Sequence, residues 1–241
     1  MLPRDENTLN ALQKGSLKLE GEFLWGSNYT FLTQVELNAK RLLAVYKPTQ
    51  GQRPLWDFPS ESLAQREVAA YLVSEALGWR FIPPTAYRRD APMGPGSLQL
   101  FIEHDPDYHY YNFSSADRQR LRPVALFDHL VNNADRKGSH VIFGPDDRMW
   151  LIDHGLCFHV DPKLRTVIWD FAGETIPEGL CADLSDFRQE LSWDSELVQA
   201  LREYLSSEEI SAMIRRADKL IASGSYPQPD PGRRSHPWPP V

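Results

Sequence analysis

The sequence has few cysteines, no long apolar run and no concentration of positive charge. Its 241 residues include two cysteines, Cys157 and Cys181, which excludes a disulfide framework, and no CxxC pair indicates a zinc site. No apolar run approaches the roughly 18 residues that a membrane-spanning helix needs. The first residues lack the basic and apolar regions of a secretory signal. We therefore expect a soluble, cytoplasmic protein.

Acidic residues outnumber basic ones by 33 to 26, which gives a net charge of −7. The Lys and Arg residues are scattered along the chain. Nucleic-acid binding and stable attachment to anionic membranes both depend on clustered cations, so we expect neither. Hydrophobic residues make up 41% of the chain, which is enough for one large domain or two small ones.

The first part of the chain has the alternating pattern of β-strands. SLKLEGEFLW, YTFLTQVEL and RLLAVYK predict three antiparallel strands with turns at GSN and NAK. SESLAQREVAAYLVSEALGW predicts a helix with a serine at its N-cap and apolar residues around most of its surface. TAYRR and GSLQLFIEH predict two more strands. We expect a first lobe, residues 1–103, that consists of a sheet of about five strands and one helix.

From residue 114 onward the pattern is mainly helical. SSADRQRLRPVALFDHLVNNA predicts a helix that Pro123 interrupts or restarts. An apolar hairpin follows, HVIF and MWLI around the turn GPDDR, and SDFRQELSW, SELVQALREYLS and SEEISAMIRRADKLIAS predict further helices. We expect a helical second lobe at 104–222, and a tail at 223–241 that is disordered because it is rich in proline. A cleft is expected near residue 103.

Two aspartates lie at the ends of the hairpin, Asp135 before its first strand and Asp153 after its second, so both should emerge at the same end. A phosphotransferase that uses a metal and a nucleotide needs such a pair. One carboxylate accepts or orients the proton of the attacking hydroxyl, and the other holds Mg²⁺ against the phosphates. Lys47 on the third strand could bind the phosphates, and Glu67 in the predicted helix could hold that lysine in position.

Each of these residues also has an ordinary structural explanation. Lys47 could end a strand at the surface, and both aspartates could belong to solvated turns. Glu67 shares its helix face with mostly apolar residues, so it requires a buried partner, and Arg66 and Arg80 are alternatives to Lys47. The ordered set, each residue on the element type that a kinase requires, favours the functional interpretation.

These motifs resemble those of a known superfamily. YKPTQGQRP, FDHLVNNADRKGSHVI and IDHGLCF, followed by LRTVIWDFAG, are similar to the phosphatidylinositol 3- and 4-kinases, most closely the type II phosphatidylinositol 4-kinases and small bacterial proteins related to them. The resemblance implies an α+β, two-lobed protein-kinase-like fold that uses ATP with Mg or Mn. It implies that Lys47 contacts the phosphates, that Asp135 and Arg136 act in the catalytic loop, and that Asp153 binds metal.

The sequence departs from that family at His140, which stands where the catalytic loop of the family usually has a metal-binding asparagine. Imidazole suits Mn²⁺ or Zn²⁺ better than Mg²⁺, so we expect His140 to be a metal ligand that favours Mn²⁺. The cysteine-rich acylation segment of the type II lipid kinases is absent, and so is a basic membrane face. A protein or small-molecule acceptor is therefore favoured over a lipid.

Two further parts of a nucleotide site are predicted. Ser27, in the turn of the first hairpin, could approach the phosphates through its backbone N–H, although a plain hairpin turn explains the same residues. Phe101, Ile102 and Glu103 lie where a kinase hinge, the segment that connects the two lobes, would bind adenine through backbone groups.

Three functions remain open at this point. The first is transfer of the γ-phosphate of ATP to a hydroxyl, and the second is a pseudokinase that binds nucleotide or a partner and has lost the chemistry through His140. The third is a metal-dependent hydrolase built on the two aspartates with His129, His140, His154 and His159. The absence of HxH and HExxH motifs counts against the hydrolase.

Overall fold

The computed structural model describes residues 6–23, 29–50, 52, 55–59 and 62–241. Its elements in chain order are α1 Glu6–Lys14, β1 Ser16–Glu22, β2 Phe31–Leu37, β3 Lys40–Pro48, α2 Leu63–Ala76, β4 Thr85–Arg88, β5 Gly96–Leu100, α3 Ser115–Gln119, α4 Arg122–Val131, β6 Val141–Phe143, β7 Met149–Leu151, α5 Glu178–Glu190, α6 Glu196–Leu201 and α7 Ser207–Ser223. Short 3₁₀ turns lie at Tyr110–Asn112 and Gly138–His140.

Strands β1 to β5 form one antiparallel sheet in the order β1-β2-β3-β5-β4. A two-residue turn joins β2 to β3, and both of its residues, Asn38 and Ala39, have positive φ, which suits the twist of a tight hairpin. Alternation along β3 buries Tyr46 in a core with Leu12 of α1 and turns Lys47 toward the other face. The five predicted strands are confirmed, whereas the short helix α1 was not predicted.

Helix α2 lies between the sheet and the helices of the second half. It packs on β4, β5 and α6, and its apolar residues share one continuous core with α4, α5, α6 and α7. Its buried residues include the charged pair Arg66 and Glu67. The predicted burial of this helix is confirmed. Ser62 takes the N-cap position, but its hydroxyl donates to the carbonyl of Pro59 and does not cap the helix.

The second half follows the predicted pattern closely. Helix α3 ends at Gln119, and Pro123 lies in the first turn of α4, where a missing N–H costs nothing, so the predicted restart is confirmed. The predicted hairpin is present as β6 and β7. Within the described part of the chain, no helix combines the length and the apolar character that crossing a membrane requires.

The proline-rich segment 223–241, for which disorder is expected from composition, forms hydrogen bonds with the rest of the chain. Tyr226 is buried and its hydroxyl donates to the carbonyl of Arg122. Farther along, the carbonyl of Ser235 accepts from Thr166 N at 3.0 Å, and that of Pro240 accepts from Gly138 N at 2.8 Å. Proline prevents regular ladders because it has no N–H, but its carbonyl still accepts, and its fixed φ reduces the entropy lost on ordering. A proline-rich composition therefore argues against a long helix or strand in this segment. It does not argue against an irregular segment that packs on the rest of the protein.

Candidate functional site

A cleft of about 510 Å³ lies between the sheet and the second half of the chain. It is lined by Tyr29, Thr30, Lys47, Pro48, Gln52, Leu55, Leu63, Ala64, Glu67, Asp135, Lys137, Ser139, His140, Asp153, Gly155, Leu156 and Val241. Its size is in the range of small-molecule sites. The structure thus brings together five residues that the sequence analysis selected from distant positions, Lys47, Glu67, Asp135, His140 and Asp153.

Lys47 lies at the centre of an ion-pair network. Its Nζ is 2.5 Å from Oε1 of Glu67 and 3.0 Å from Oδ1 of Asp153. The other oxygen of Glu67 accepts from the backbone N–H of His154 at 2.9 Å. One carboxylate of α2 therefore links β3 to the segment that follows β7, and the predicted contact between Lys47 and Glu67 is present.

The alternative partners of Glu67 are engaged elsewhere. The guanidinium of Arg66 forms an ion pair with Glu209 of α7 and donates to the carbonyl of Cys157. Arg80 lies 3.7 Å from Glu75. Both arginines therefore point away from Glu67, and Arg66 fastens α2 to the second half of the chain.

The charges at the floor of the cleft stabilise one another. Burial alone would lower the pKa of Lys47, but the carboxylates of Asp153 and Glu67 outweigh it and raise that pKa above its ordinary value. Enclosure would raise the pKa of Asp153, but the ammonium group of Lys47 holds it well below its usual range. Half of the Asp153 side chain is nevertheless accessible from the cleft. The site therefore presents a permanent cation beside a permanent, reachable anion.

Asp135 has a different electrostatic environment. Burial raises its pKa to about 6, the nearby Lys137 opposes the increase, and the charge of Asp153 adds to it. Oδ2 of Asp135 lies 3.5 Å from Nζ of Lys137, and about a quarter of the side chain, 26%, is exposed. A carboxylate that gains and loses a proton near neutral pH is suited to accept one from a hydroxyl. Lys137, which the sequence analysis did not select, adds a second cation to the cleft.

His140 contacts Asp153, with Nε2 3.4 Å from Oδ2. Burial lowers its pKa to about 4, so the ring is neutral at pH 7. Its Nδ1 accepts a long hydrogen bond of 3.4 Å from Lys137 N, which leaves the ring proton on Nε2, toward Asp153. Metal binding through Nε2 therefore requires the other tautomer.

The donor set fits a metal that arrives with phosphates. In the described part of the chain, no group of three or more His, Cys, Asp and Glu side chains is arranged to hold a metal. Asp153 and His140 offer two ligands, and Mg²⁺ in nucleotide sites commonly takes one or two carboxylates with water and phosphate oxygens. The pair is thus compatible with a nucleotide-bound cation and not with a closed metal site.

Arg136 does not line the cleft, which corrects its predicted catalytic role. Its side chain is fully buried and forms an ion pair of 3.0 Å with Asp128 of α4. It also donates to the carbonyls of His140 and Ile152 and to Nε2 of His154. A guanidinium without exposed surface cannot touch a substrate. Through these bonds Arg136 holds the residues on both sides of Asp153, Ile152 and His154.

The sequence analysis selected neither Asp128 nor Asn133 as a site residue. Asp128 is fully buried and accepts from Arg136, from Nδ2 of Asn133 and from the hydroxyl of Thr166. Oδ1 of Asn133 in turn accepts from the backbone N–H of Asp135 at 2.9 Å. Asp128 therefore fixes the loop that carries Asp135. A charged residue within the apolar run VALFDHLV was the available signal that a buried partner existed.

The predicted adenine-binding segment does not line the described cleft. The N–H of Phe101 donates to the carbonyl of Leu43 at 2.9 Å, and the carbonyl of Ile102 accepts from Nδ1 of His104 at 2.8 Å. The side chain of Ile102 is buried in a small apolar cluster, whereas Glu103 is exposed. Two backbone groups expected to bind adenine are thus already used within the protein.

Ser27 lies outside the described residues, as does the rest of the predicted GSN turn. Tyr29 and Thr30, which follow it, line the cleft. The residues just before β2 therefore border the site, next to the predicted phosphate-covering turn.

The histidines do not gather into the predicted hydrolase site. The ring of His129 packs edge-on against Trp169, and that of His159 against Phe58. His154 is fully buried, which keeps its pKa well below the ordinary value, and its Nε2 accepts from Arg136. Among these rings, His140 alone lines the described cleft.

Solved kinase structures share the fold. The crystal structure of the Golgi casein kinase with Mn/ADP bound has a TM-score of 0.57 and 16% identity, over 93% of this chain and 80% of that chain. The Helicobacter pylori proinflammatory kinase CtkA has a TM-score of 0.54 and 9% identity, over 89% of this chain and 94% of that chain. The predicted kinase-like fold, with an antiparallel sheet followed by a helical half, is confirmed.

No family model matches the chain. Two curated proteins are similar to it in sequence, one over nearly the whole chain and the other over 39% of it. Phosphatidylinositol 4-kinase gamma 4 of Arabidopsis thaliana is 30% identical over 119 residues, which is 39% of this chain and 21% of that protein. A match so partial does not establish membership of the phosphatidylinositol 3-/4-kinase superfamily. Protein Rv2133c of Mycobacterium tuberculosis is 39% identical over 263 aligned residues, which cover 95% of this chain and 93% of the relative. The chain therefore belongs to the family of Protein Rv2133c.

Proposed function

We propose that the chain is a cytoplasmic, ATP-dependent phosphotransferase that transfers the γ-phosphate to a hydroxyl of a protein or soluble acceptor. The observation that carries this proposal is the contact of Lys47 with both Glu67 and Asp153, in a cleft that also contains Asp135. Each of these four groups has a separate task in phosphoryl transfer.

Lys47 binds the phosphates, because it remains a cation that Glu67 orients from α2. Lys137, which lines the same cleft beside Asp135, contributes a second cation that would contact the transferred phosphoryl group. A divalent cation held by Asp153, with or without His140, would neutralise phosphate charge. Phosphoryl transfer depends mainly on such positioning and charge stabilisation.

Asp135 accepts the proton of the acceptor. The hydroxyl oxygen forms a bond to Pγ, the bond between Pγ and the oxygen that bridges to Pβ breaks, and ADP leaves with that electron pair. The proton of the hydroxyl passes to the carboxylate of Asp135. Because its pKa is raised to about 6, this carboxylate is ionised at pH 7 and is a stronger base than an ordinary aspartate.

The relatives support the kinase interpretation at the level of fold, since two neighbours are named kinases and one of them was solved with Mn/ADP. The position of His140 favours one alternative, a pseudokinase that binds nucleotide without transfer. When Nδ1 accepts from Lys137 N, the ring proton lies on Nε2, toward Asp153, and Nε2 is not available to a metal.

The test uses γ-labelled ATP, Mg²⁺ or Mn²⁺ and a cytoplasmic extract, with calorimetry of ATP binding in parallel. We expect wild type to label an acceptor, Asp135→Asn to bind ATP without labelling, and Asp153→Asn to bind ATP more weakly in the presence of metal. Asp194→Asn, at an exposed aspartate outside the cleft, is the matched control and should behave as wild type. ATP binding without transfer would favour the pseudokinase, and absence of ATP binding with either metal would contradict both functions.

A further inference from the structure

The last residues of the chain lie against the loop that contains Asp135. The carbonyl of Ser235 accepts from the backbone N–H of Thr166 and from Nε1 of Trp169, at 3.0 and 3.2 Å. The carbonyl of Pro240 accepts from Gly138 N at 2.8 Å. Val241 lines the same cleft as Asp135. This segment therefore passes along the second half of the chain and reaches the candidate site.

The surface beneath this segment is built to receive backbone carbonyls. Its three donors are two main-chain N–H groups and one indole N–H. All three donate to main-chain carbonyls of the bound segment and none to its side chains. Thr166 forms a bridge with Arg136, so one donor neighbours the residue after Asp135 and another, Gly138, lies three residues after Asp135. We call the strip formed by Gly138, Thr166 and Trp169 the acceptor groove.

Gly138 leaves little free space in this groove. A Cβ atom at this position would lie 3.1 Å from the ring of Tyr111 and 3.5 Å from the carbonyl of Pro240. A side chain at residue 138 would therefore press on Tyr111 and touch the bound segment. N–H groups that donate to the main-chain carbonyls of a bound segment are a feature by which proteins bind peptides.

We propose that the acceptor groove binds a polypeptide segment through its main-chain carbonyls, that residues 235–241 occupy it in the resting protein, and that the acceptor in the proposed phosphate transfer is a polypeptide segment that replaces them. The last step rests on the proposed function, whereas the binding of a polypeptide does not. The groove thus selects a protein acceptor over a small molecule.

Few contacts hold residues 235–241, so another polypeptide segment can replace them. Among these residues the side chain of Pro237 is buried, whereas Trp238 is 77% exposed. The firm anchor lies earlier, at Tyr226, whose ring is buried against Phe171. Release of the segment after residue 234 therefore leaves this anchor in place.

Binding is tested without nucleotide, so its outcome does not depend on catalysis. A fluorescent peptide with the sequence of residues 233–241, RRSHPWPPV, is titrated into the full chain and into a chain that ends at Arg234, and anisotropy is recorded. We expect the shortened chain to bind it at least tenfold more tightly than the full chain. Trp169→Phe, which removes the indole donor and keeps a ring, should weaken binding to the shortened chain several-fold. A peptide of the same composition in scrambled order is the control.

Hydrogen exchange on the full chain gives a second measurement that does not require the shortened chain to fold. The amides of Gly138 and Thr166 should be protected, and excess RRSHPWPPV should leave that protection in place, since one segment replaces another. If the amides of Gly138 and Thr166 both exchange as fast as those of open loops, the proposal that residues 235–241 occupy the groove is wrong. Equal and weak binding of the peptide to both chains, with both folded by circular dichroism, would overturn it as well.

Transfer to a polypeptide is tested within the chain itself. Val241 borders the cleft, so Val241→Ser introduces a hydroxyl there. With γ-labelled ATP and Mn²⁺, this variant should incorporate label at residue 241 at a rate independent of protein concentration, and adding Asp135→Asn should abolish the label. If the peptide binds but neither this variant nor any extract protein is labelled, the proposed function fails and the groove stands. If extract labelling is normal while the peptide does not bind, the groove alone fails.

Discussion

Replacing Asp135 by asparagine should stabilise the fold while it removes phosphate transfer. The side chain is largely enclosed and its pKa is raised to about 6. The ionised carboxylate therefore lowers the free energy of unfolding. Asparagine has nearly the same shape and no charge, and it removes that loss of stability. A residue selected only for stability would not be expected at this position, so a gain in stability on substitution supports a role in chemistry.

The magnitude follows from the two pKa values. The ordinary value is 3.8 and the folded value is about 6, so the ionised form is disfavoured in the folded state by about 3 kcal/mol. Because the folded pKa is the higher one, the contribution of Asp135 to stability is fully present below pH 3.8 and is lost as the pH rises through about 6. At pH 5 the folded carboxyl is mostly protonated, and wild type is about 1.4 kcal/mol more stable than at pH 8 from this group.

The assay is urea unfolding of wild type and Asp135→Asn at pH 5 and pH 8, without nucleotide and with a chelator present. The free energy of unfolding of the variant minus that of wild type should be about 1.4 kcal/mol larger at pH 8 than at pH 5. Other titrating groups are common to both proteins and cancel in this difference. A difference that does not change with pH would refute the raised pKa and the general-base role derived from it.

Two further substitutions test other parts of the site. Lys47→Met and Glu67→Ala should be non-additive in ATP affinity measured by calorimetry, because Glu67 acts through Lys47, and simple additivity would count against the pair. His140→Asn should shift activity from Mn²⁺ toward Mg²⁺, since an amide oxygen is the harder ligand, and an unchanged activity ratio of the two metals would place His140 outside the metal shell.

The pattern of the sequence was sufficient for most of the fold. Period-two alternation predicted the first three strands of the sheet, two strand-like stretches predicted the other two, and apolar residues on most sides predicted the buried helix α2. The approach of Lys47 to Glu67 was predictable because a buried glutamate needs a cation and few were available. Helix α1 was missed because it has nine residues and its burial depends on contacts with β4 and β2 that local pattern does not contain.

The sequence could not predict which side chains of the loop around Asp135 and Arg136 face the cleft and which face the interior. Asn132 ends α4 in the left-handed region, with φ of 55°. In the loop that follows, Arg136 points inward to Asp128 while Asp135 faces the cleft. Adjacent residues of one short loop thus have opposite environments. Sequence separation alone could not assign one of them to the substrate and the other to the interior.

The buried pair of Asp128 and Arg136 provides the last prediction, because its role in stability can be separated from its role in positioning. Asp128→Leu alone leaves a buried guanidinium unpaired and should lower the free energy of unfolding by about 3–5 kcal/mol. Adding Arg136→Met replaces both charges with apolar groups, which in other proteins is neutral or stabilising, so urea unfolding should show most of the loss restored. Phosphate transfer and metal-dependent ATP affinity should both stay low in the double variant, since Asn133 would have lost the partner that orients the loop of Asp135, and the Ile152 carbonyl the partner that orients Asp153. Recovery of transfer together with stability would show that the ion pair serves the fold alone.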